Sequence, residues 1–357
     1  MAEDKVKAEK KGAHESKGLD EAIKALRKKY GDGALSTLQG EEEEIQHFST
    51  GLPSLDAITG VGGIPRGKMI ELYGRESAGK SLLACTIAMQ AQKIGIVHYL
   101  DFENSLDPRY LKSIGVQLGT TFLVSKPTSM EDGFDMAMEM ISSGQIVLTV
   151  MDSVGAMVTR DTLKRDAGEQ KPGEVARILS VCLHTTLPEL TKHGTTMMFI
   201  NHLRSTINPY GPSETTSGGN ALKYFLHMKL ELKKKTLIQT SDGPVGIETL
   251  VKISKNKVGR PFGETLLRLM FDTGFDRVAS VLDSLVKAGI VEASGGGAYK
   301  SELLGINVRG KDNVLALFQN DVELMDRALQ VLVDVSKSTA EMQTRRVSFD
   351  ADMQSEA

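Results

Sequence analysis

An octapeptide at residues 74–81 has the residue types and spacing of a phosphate-binding loop. It matches the pattern G-x-x-x-x-G-K-[ST] of a P-loop, in which glycines allow successive backbone N–H groups to point at phosphate oxygens. Lys80 could reach the β- and γ-phosphates, and the Ser81 hydroxyl could coordinate Mg²⁺. We expect the whole loop to contact a nucleotide: Gly74, Arg75, Glu76, Ser77, Ala78, Gly79, Lys80 and Ser81.

Short apolar runs flanked by turn residues surround this loop in a regular order. The run 68–73 predicts a strand entering the loop, and residues 81–93 predict a helix whose positive end faces the phosphates. Further strands are predicted at 96–102, 146–151 and 196–200, with helices at 131–142 and 173–191. This alternation predicts an α/β core with a mostly parallel sheet. The runs 226–232 and 249–253 are predicted as additional strands, for which an antiparallel direction is open.

Polar side chains follow three of the predicted strands, at the rim where α/β folds bind ligands. Asp152 could organise Mg²⁺, although an aspartate that caps a strand would give the same pattern. Asp101 and Glu103 are two residues apart and so share a strand face, and either could hold the water that attacks the γ-phosphate. The spacing does not choose between them. His202 could contact the γ-phosphate, or could be a surface or packing histidine, which is the commoner case.

Two long stretches without an apolar pattern, 160–173 and 205–219, also follow predicted strands. Long irregular loops in compact domains are usually functional or disordered. The first stretch carries four basic and three acidic residues, so its charge is weak evidence for nucleic-acid binding. Arg177 and His184 lie opposite the apolar stripe of the following helix, where they could meet a phosphate backbone. A solvated basic face would give the same pattern.

The composition is that of an ordinary globular protein. The 357 residues are 40% hydrophobic and 25% charged, and no apolar run approaches the roughly 20 residues of a membrane span. The polar start lacks an apolar signal core, so we expect no export and a cytoplasmic location. Cys85 and Cys182 lie in apolar helical stretches and are predicted to be reduced packing residues. With a net charge of −3, any DNA-binding surface must be local.

The chain divides into four predicted segments. Near the start, Leu19, Ile23, Leu26 and Tyr30 predict an amphipathic helix, and residues 34–38 predict a short strand. These two elements cannot bury their own apolar face, so they must pack on the rest of the chain or on a neighbouring copy. The predicted segments are 1–45 with this helix and strand, the α/β core 46–275, a small α+β module 276–335 with helices near 278–286 and 321–335, and a polar tail 336–357.

Six motifs follow one another between Leu19 and Val335. They are SerThrGlyLeuProSerLeuAsp at 49–56, the phosphate loop at 74–81, LeuAspProArgTyr at 106–110, PheIleAsn at 199–201, GluThrThrSerGlyGlyAsnAlaLeuLysTyr at 214–224 and LysAsnLys at 255–257. Together they make the chain resemble the RecA family of bacterial homologous recombinases. The resemblance implies a RecA-type P-loop ATPase core with a mostly parallel twisted sheet, an N-terminal helix–strand oligomerisation segment and a small α+β C-terminal domain.

The resemblance also implies a role for each matching residue around the cofactors ATP and Mg²⁺. Glu103, rather than Asp101, would activate the attacking water, and Asp152 would hold Mg²⁺ together with Ser81. Asp107 and Tyr110 would contact the adenine, and His202 would contact the γ-phosphate. Lys255 and Lys257 would reach the ATP site of a neighbouring subunit. The implied catalytic residues are Glu103, Lys80, Asp152, Lys255 and Lys257.

DNA is the partner that the resemblance implies. The stretches 160–173 and 205–219 match two DNA-binding loops, and the module 276–335 matches a domain that gathers duplex DNA. The implied DNA-binding residues are Arg160, Lys164, Arg165, Arg177, Arg204, Tyr210, Gly218, Gly219, Asn220, Lys233 and Lys234. The implied activity is DNA-dependent ATP hydrolysis with strand exchange, in recombination, repair and the SOS response. The implied partners are single-stranded DNA, double-stranded DNA, further copies in a helical filament, and single-strand-binding and mediator proteins, with no membrane.

Three departures from the family pattern point to a phage-encoded or divergent member. His202 stands where bacterial members usually have glutamine, His184 replaces a usual arginine, and the strongly acidic tail is lacking. Two other functions are compatible with the same motifs. One is a RecA-fold ATPase of another class, such as a hexameric helicase or a branch-migration protein. The other is a scaffold that uses ATP only as a switch and stimulates repressor self-cleavage.

Overall fold

The computed structural model describes residues 19–31, 35, 45–165, 173–205 and 214–335. The chain consists of two compact units, residues 1–44 and 45–357. In the first unit, residues 19–30 form helix α1, as the spacing of its apolar residues predicts, and Leu19, Leu26 and Tyr30 are exposed. Apart from residue 35, the strand predicted at 34–38 lies outside the described residues.

The second unit alternates strands and helices along the chain. Its strands are β1 His47–Phe48, β2 Ile64–Pro65, β3 Met69–Gly74, β4 Ile96–Asp101, β5 Phe122–Ser125, β6 Ile146–Asp152, β7 Thr196–Ser205, β8 Glu214–Thr216, β9 Met228–Thr240, β10 Gly243–Asn256, β11 Glu264–Met270, β12 Gly274–Phe275, β13 Glu292–Ala293, β14 Ala298–Ser301 and β15 Ile306–Arg309. Its helices are α2 Pro53–Thr59, α3 Lys80–Ala91, α4 Pro108–Ser113, α5 Met130–Ser142, α6 Arg160–Leu163, α7 Glu174–His193, α8 Gly219–Phe225, α9 Arg277–Lys287, α10 Lys311–Asn320 and α11 at 322–335.

One large mixed sheet runs through this unit in the order β12-β11-β10-β9-β3-β7-β6-β4-β5, with β8 paired to the end of β7. The strands from β9 to β5 in this order are parallel, which confirms the predicted mostly parallel α/β core. From β9 outward, β10, β11 and β12 extend the sheet with antiparallel pairs. Residues 228–232 of the first run and all of the run 249–253 belong to the longer strands β9 and β10, which pair antiparallel, although β9 itself lies parallel to β3.

Alternate residues of the central strands fill two hydrophobic layers, one on each face of the sheet. In β7, Met198 and Ile200 join the layer that contains α3, whereas Met197 and Phe199 join the layer that contains α5 and α7. Cys85 is buried in the first of these layers. Because both faces of the sheet are covered by helices, the carboxyl ends of the parallel strands form a rigid edge on which side chains can be positioned.

A third hydrophobic cluster joins the elements from α9 onward. It includes Leu282 and Leu285 of α9 and Phe318 of α10. The sequence did not predict α10, because its apolar residues make only a short helical pattern within ten residues. The backbone N–H of Ser54 in α2 donates to Ser280 Oγ of α9 at 3.0 Å, which links this part to the core. Among the described helices, none has the length and apolar character of a membrane span.

Candidate nucleotide-binding site

Four parallel strands bring the predicted nucleotide residues to one edge of the sheet. The register places Gly74 of β3 beside His202 of β7, and Asp152 of β6 beside both Ile200 of β7 and Asp101 of β4. Residues that are far apart in the sequence therefore converge at the carboxyl ends of neighbouring strands. Open α/β sheets bind their ligands at this edge.

The lysine of the phosphate loop is held at the start of α3. Gly79 turns the chain with a φ of 90°, and α3 begins at Lys80. Lys80 is buried, and its Nζ donates a hydrogen bond to the carbonyl oxygen of Arg75 at 2.8 Å. Burial lowers the pKa of Lys80, and the nearby Asp152 carboxylate is the strongest influence in the other direction. Lys80 is thus a buried cation at a helix N-terminus, where a phosphate would be contacted.

Gly74 is a glycine for a different reason from the tight turn that the motif suggests. A Cβ at Gly74 would lie 2.2 Å from the carbonyl oxygen of Leu232, so any side chain would push β3 away from β9. The turn is made instead by Ser77 and Gly79, whose φ angles are 58° and 90°. Within the loop Arg75, Glu76, Ser77 and Ser81 are exposed, whereas Ala78 and Lys80 are buried.

Asp152 is a buried carboxylate with one oxygen unsatisfied. The Tyr99 hydroxyl donates to its Oδ2 at 2.6 Å, whereas no described residue makes a hydrogen bond of normal geometry to Oδ1. Burial raises the pKa of Asp152, and the hydroxyls of Tyr99 and Ser81 partly offset this. An unsatisfied carboxylate oxygen near a serine hydroxyl fits Mg²⁺, which uses few protein ligands and takes the rest from phosphates and water. In the described part of the chain, no cluster of three or more histidine, cysteine or acidic side chains could hold a metal by itself.

Asp101 and Glu103 do not share a strand face, contrary to the expectation from their spacing. β4 ends at Asp101, and the chain bends before Glu103, so the two-residue alternation stops there. Asp101 is buried and accepts hydrogen bonds from the backbone N–H groups of Ser105 and Leu106 at 3.2 and 3.1 Å. Its carboxylate therefore fixes the turn after β4.

Glu103 faces the ends of the two neighbouring strands. Its Oε1 accepts a hydrogen bond from Ser153 Oγ, next to Asp152, and lies 3.4 Å from His202 Nε2. Both Glu103 and His202 remain partly exposed. A carboxylate and an imidazole in contact beside a buried lysine could position a water and sense a phosphate group.

The predicted adenine residues lie at the start of α4, directly after the turn that Asp101 fixes. Asp107 is the N-cap of α4 and accepts a hydrogen bond from the backbone N–H of Arg109 at 2.8 Å. Hydrogen bonds from the Arg109 side chain and backbone lower the pKa of Asp107. Tyr110, in the first turn of α4, is exposed and open to a planar ligand.

Asn201 connects three elements beneath the site. Its Nδ2 donates to Glu71 Oε1 of β3 and to the carbonyl oxygen of Ser217, both at 2.8 Å, and its Oδ1 accepts from the backbone N–H of Ser217 at 3.1 Å. Glu71 is 1% exposed and pairs with Lys229 of β9 at 3.0 Å. The segment that starts α8 is therefore tied to β7 and β3 by buried polar groups. No short-range pattern in the sequence indicates this network, because Glu71 and Asn201 are 130 residues apart.

Lys255 and Lys257 lie at the opposite edge of the sheet from the phosphate loop. Lys255 pairs with Lys229, beside Glu71, whereas the loop leaves β3 at Gly74. Their Nζ atoms donate to the carbonyl oxygens of Lys223 and Tyr224, near the C-terminal end of α8, at 2.6 and 3.3 Å. Cations are favoured at this end of a helix. Along the strand direction, three residues, about 10 Å, separate Lys255 from the end of β3 at which the phosphate loop begins. Lys257 lies farther from the loop, beside His227.

Arg160 and Arg165, which are predicted to contact DNA, are already paired with carboxylates. Arg160 lies 2.7 Å from Asp132 and 2.6 Å from Asp135, both on α5. Arg165 forms an ion pair with Glu174 at 2.7 Å. Lys164 and Arg177 are exposed, and so is His184, whose ring packs edge-on against Phe225. Part of the stretch 160–173 is the short helix α6, and residues 166–172 lie outside the described residues.

The remaining predicted DNA residues are spread over β7, α8 and β9. Arg204 donates to the carbonyl oxygen of Gly155 at 3.2 Å, and Lys233 pairs with Glu231 at 2.9 Å. Gly218 and Gly219 have φ angles of 87° and 63° at the start of α8, which also contains Asn220. Lys234 is exposed on β9, and Tyr210 lies outside the described residues. The structure therefore gathers the phosphate loop, Asp152, Glu103 and His202 at one sheet edge. It also places Arg204 against Gly155, and Gly219 against Ala176, the residue before Arg177.

Comparison with known proteins identifies the family. The model of the RecA N-terminal domain matches residues 17–276. The chain belongs to the RecA family. It is 36% identical to Protein RecA of Methylobacterium sp. (strain 4-46) over 317 residues, covering 87% of this chain and 86% of that protein. Protein RecA of Fusobacterium nucleatum is also 36% identical, over 91% of this chain and 85% of that protein. A solved RadB recombinase has a TM-score of 0.49 and 19% identity, covering 64% of this chain and 97% of that chain.

The match confirms the resemblance that the six motifs indicated, and the RecA-type fold agrees with the mixed sheet described above. Ser153 and Glu214, like Tyr99 and Glu71, are neighbours of the site that no sequence pattern singled out. Ser153 directly follows Asp152, so its position at a strand end was the available signal. Glu214 pairs with Arg75 of the phosphate loop, 139 residues away, and no local pattern indicates that contact.

Proposed function

We propose that this RecA-family chain is an ATP-dependent DNA recombinase that forms helical filaments on single-stranded DNA, pairs that strand with homologous duplex and exchanges strands. The observation that carries the proposal is the convergence of Lys80, Asp152, Glu103 and His202 at one sheet edge. Lys255 and Lys257 lie at the opposite edge of the sheet, too far away to reach a phosphate bound in this loop. An ATP site divided in this way needs a neighbouring copy.

In the proposed hydrolysis step, Lys80 turns from the Arg75 carbonyl to the β- and γ-phosphates. Glu103 holds the attacking water and accepts its proton, while Ser153 and His202 both contact its Oε1 and hold the carboxylate in place. Ser81 and Asp152 would hold Mg²⁺, which would neutralise charge on the phosphates. His202 would sense the γ-phosphate, and Asp107 and Tyr110 would bind the adenine.

Lys255 and Lys257 would act on the ATP of the next protomer. Their distance from their own phosphate loop supports this assignment, because cations supplied by a neighbour make hydrolysis depend on assembly. A head-to-tail interface of this kind generates an open helical filament when its rotation does not close into a ring, and the proposal is the open form. The exposed apolar side chains of α1 are suited to dock on an adjacent protomer.

DNA would lie against the segments that follow β6 and β7. Exposed Lys164, Arg177 and Lys234 are available for phosphate contacts without sequence preference. Arg160 and Arg165 would have to leave carboxylate partners to take part. The module 276–335 would gather duplex DNA. Homology would be read by base pairing and not by side chains.

Strand exchange between a circular single strand and a homologous linear duplex tests the proposal. With ATP or a slowly hydrolysed analogue, the chain should form joint molecules, and heterologous duplex should give none. Lys80→Ala serves as the matched inactive protein. Filaments without joint molecules would contradict recombinase activity. Closed six-membered rings that translocate on DNA would identify a helicase instead.

A further inference from the structure

Arg75 contacts Lys80 of the phosphate loop through its main chain and β8 through its side chain. Its carbonyl oxygen accepts a hydrogen bond from Lys80 Nζ at 2.8 Å. Its Nε donates to Glu214 Oε1 at 2.8 Å, and its Nη2 lies 2.5 Å from the same oxygen. One residue therefore joins the group proposed to hold the phosphate to the first residue of β8.

β8 belongs to the segment proposed to contact DNA. It pairs with the end of β7, where Glu214 lies beside Ser205. The next residue after β8, Ser217, is held by Asn201 through two hydrogen bonds. Those contacts fix β8 to the sheet. The Arg75–Glu214 pair is a separate attachment, which reaches β8 directly from the phosphate loop.

The ion pair is exposed enough for Arg75 to exchange Glu214 for another anion. The Arg75 side chain is 78% exposed and that of Glu214 is 29% exposed. Exposed ion pairs contribute little to folding stability, so the fold does not depend on this one. A phosphate group is a strong partner for a guanidinium and would compete with Glu214. Movement of Lys80 onto a phosphate would also release the Arg75 carbonyl.

We infer that Arg75 is a positioning residue through which ATP in the phosphate loop and DNA at β8 affect each other's binding. With ATP bound, Arg75 loosens its hold on Glu214, and β8 becomes free to adapt to DNA. DNA that binds at β8 in turn favours the ATP-bound loop, because coupling between two ligands is reciprocal. This role rests on the proposed binding of ATP and DNA by the same chain.

The experiment measures the Kd of a slowly hydrolysed ATP analogue with and without a single-stranded oligonucleotide. The ratio of the two values reports the coupling. Glu214→Gln and Arg75→Gln should each lower the ratio by about two- to fivefold, the range open to an exposed ion pair. Arg75→Lys should keep most of the coupling. Combining Arg75→Gln with Glu214→Gln should lower the ratio no further than either change alone.

Glu189→Gln is the matched control, because Glu189 is also 29% exposed and pairs with Lys192 on α7, outside the site. It should leave the ratio unchanged. A wild-type ratio of one would overturn both the proposed function and this role. Normal coupling in the wild type that persists in Glu214→Gln and Arg75→Gln would overturn the role of Arg75 alone. A lower melting temperature of these variants with an unchanged ratio would also overturn the role of Arg75, because it would show that the ion pair only stabilises the fold.

Discussion

Replacing Lys229 by methionine should destabilise the folded chain strongly, because it leaves a buried carboxylate without its cation. Glu71 is 1% exposed, and the Lys229 side chain, 13% exposed, lies 3.0 Å from its Oε2. The Lys229 ammonium also lies 4.5 Å from the centre of the Tyr73 ring. After the change, Glu71 keeps the hydrogen bond from Asn201 and the more distant charge of Lys255.

The expected loss in the free energy of unfolding follows from this burial. Removing one partner of a buried ion pair costs about 3–5 kcal/mol, because the other charge stays desolvated. The hydrogen bond from Asn201 offsets part of this, so we expect the lower end, about 3 kcal/mol. Domains are typically stable by about 5–15 kcal/mol, so such a loss is a large fraction of the total.

Equilibrium urea unfolding measures this loss, with Lys233→Met as the matched control. Lys233 lies on the same strand and pairs with Glu231 at 2.9 Å, but its side chain is 52% exposed. The control should lose less than about 1 kcal/mol. Adding Glu71→Gln to Lys229→Met should recover part of the stability, since it removes the unpaired charge. Equal losses for Lys229→Met and Lys233→Met would refute the reasoning.

Three other expected outcomes concern the site and its surroundings. Lys80→Ala should weaken ATP binding by about 10- to 100-fold in calorimetry, because a charge-assisted contact is lost. An unchanged affinity would show that Lys80 does not contact ATP. Glu103→Gln should bind ATP but hydrolyse it about 10²- to 10⁴-fold more slowly, whereas full hydrolysis would move the role to another residue. NMR titration should give Asp132 a pKa of about 2, held down by hydrogen bonds from Ser129, Arg160 and Thr128. Its contribution to stability is therefore complete above the ordinary value of 3.8 and is lost as the pH falls toward 2, and Arg160→Ala should raise the pKa. An ordinary pKa in the wild type would contradict these contacts.

The sequence was sufficient for the parts of the fold that depend on local pattern. The phosphate loop, its flanking strand and helix, and the strand that delivers Asp152 all follow from short-range spacing. Glu103 could not be distinguished from Asp101 by spacing, because the chain bends after β4 and the strand alternation ends there. The direction of β9 was also undetermined, since an apolar run has the same pattern in parallel and antiparallel pairs.

Contacts between distant segments were not predictable from one sequence. Arg75 and Glu214 are 139 residues apart, and Glu71 and Asn201 are 130 residues apart. Each looks locally like an ordinary polar residue, and only the strand order brings them together. The family resemblance implied that Arg160 binds DNA, but the sequence could not show that its guanidinium already pairs with two aspartates of α5.

Mixing two inactive variants tests most directly whether the ATP site is completed by a neighbouring protomer. One variant is Lys80→Ala, and the other combines Lys255→Ala with Lys257→Ala. Each alone should lack ATP hydrolysis stimulated by single-stranded DNA. In an equal mixture, random head-to-tail assembly should give about a quarter of the interfaces an intact loop facing intact lysines, and a similar share of activity should return. A mixture as inactive as its two components would contradict the divided site.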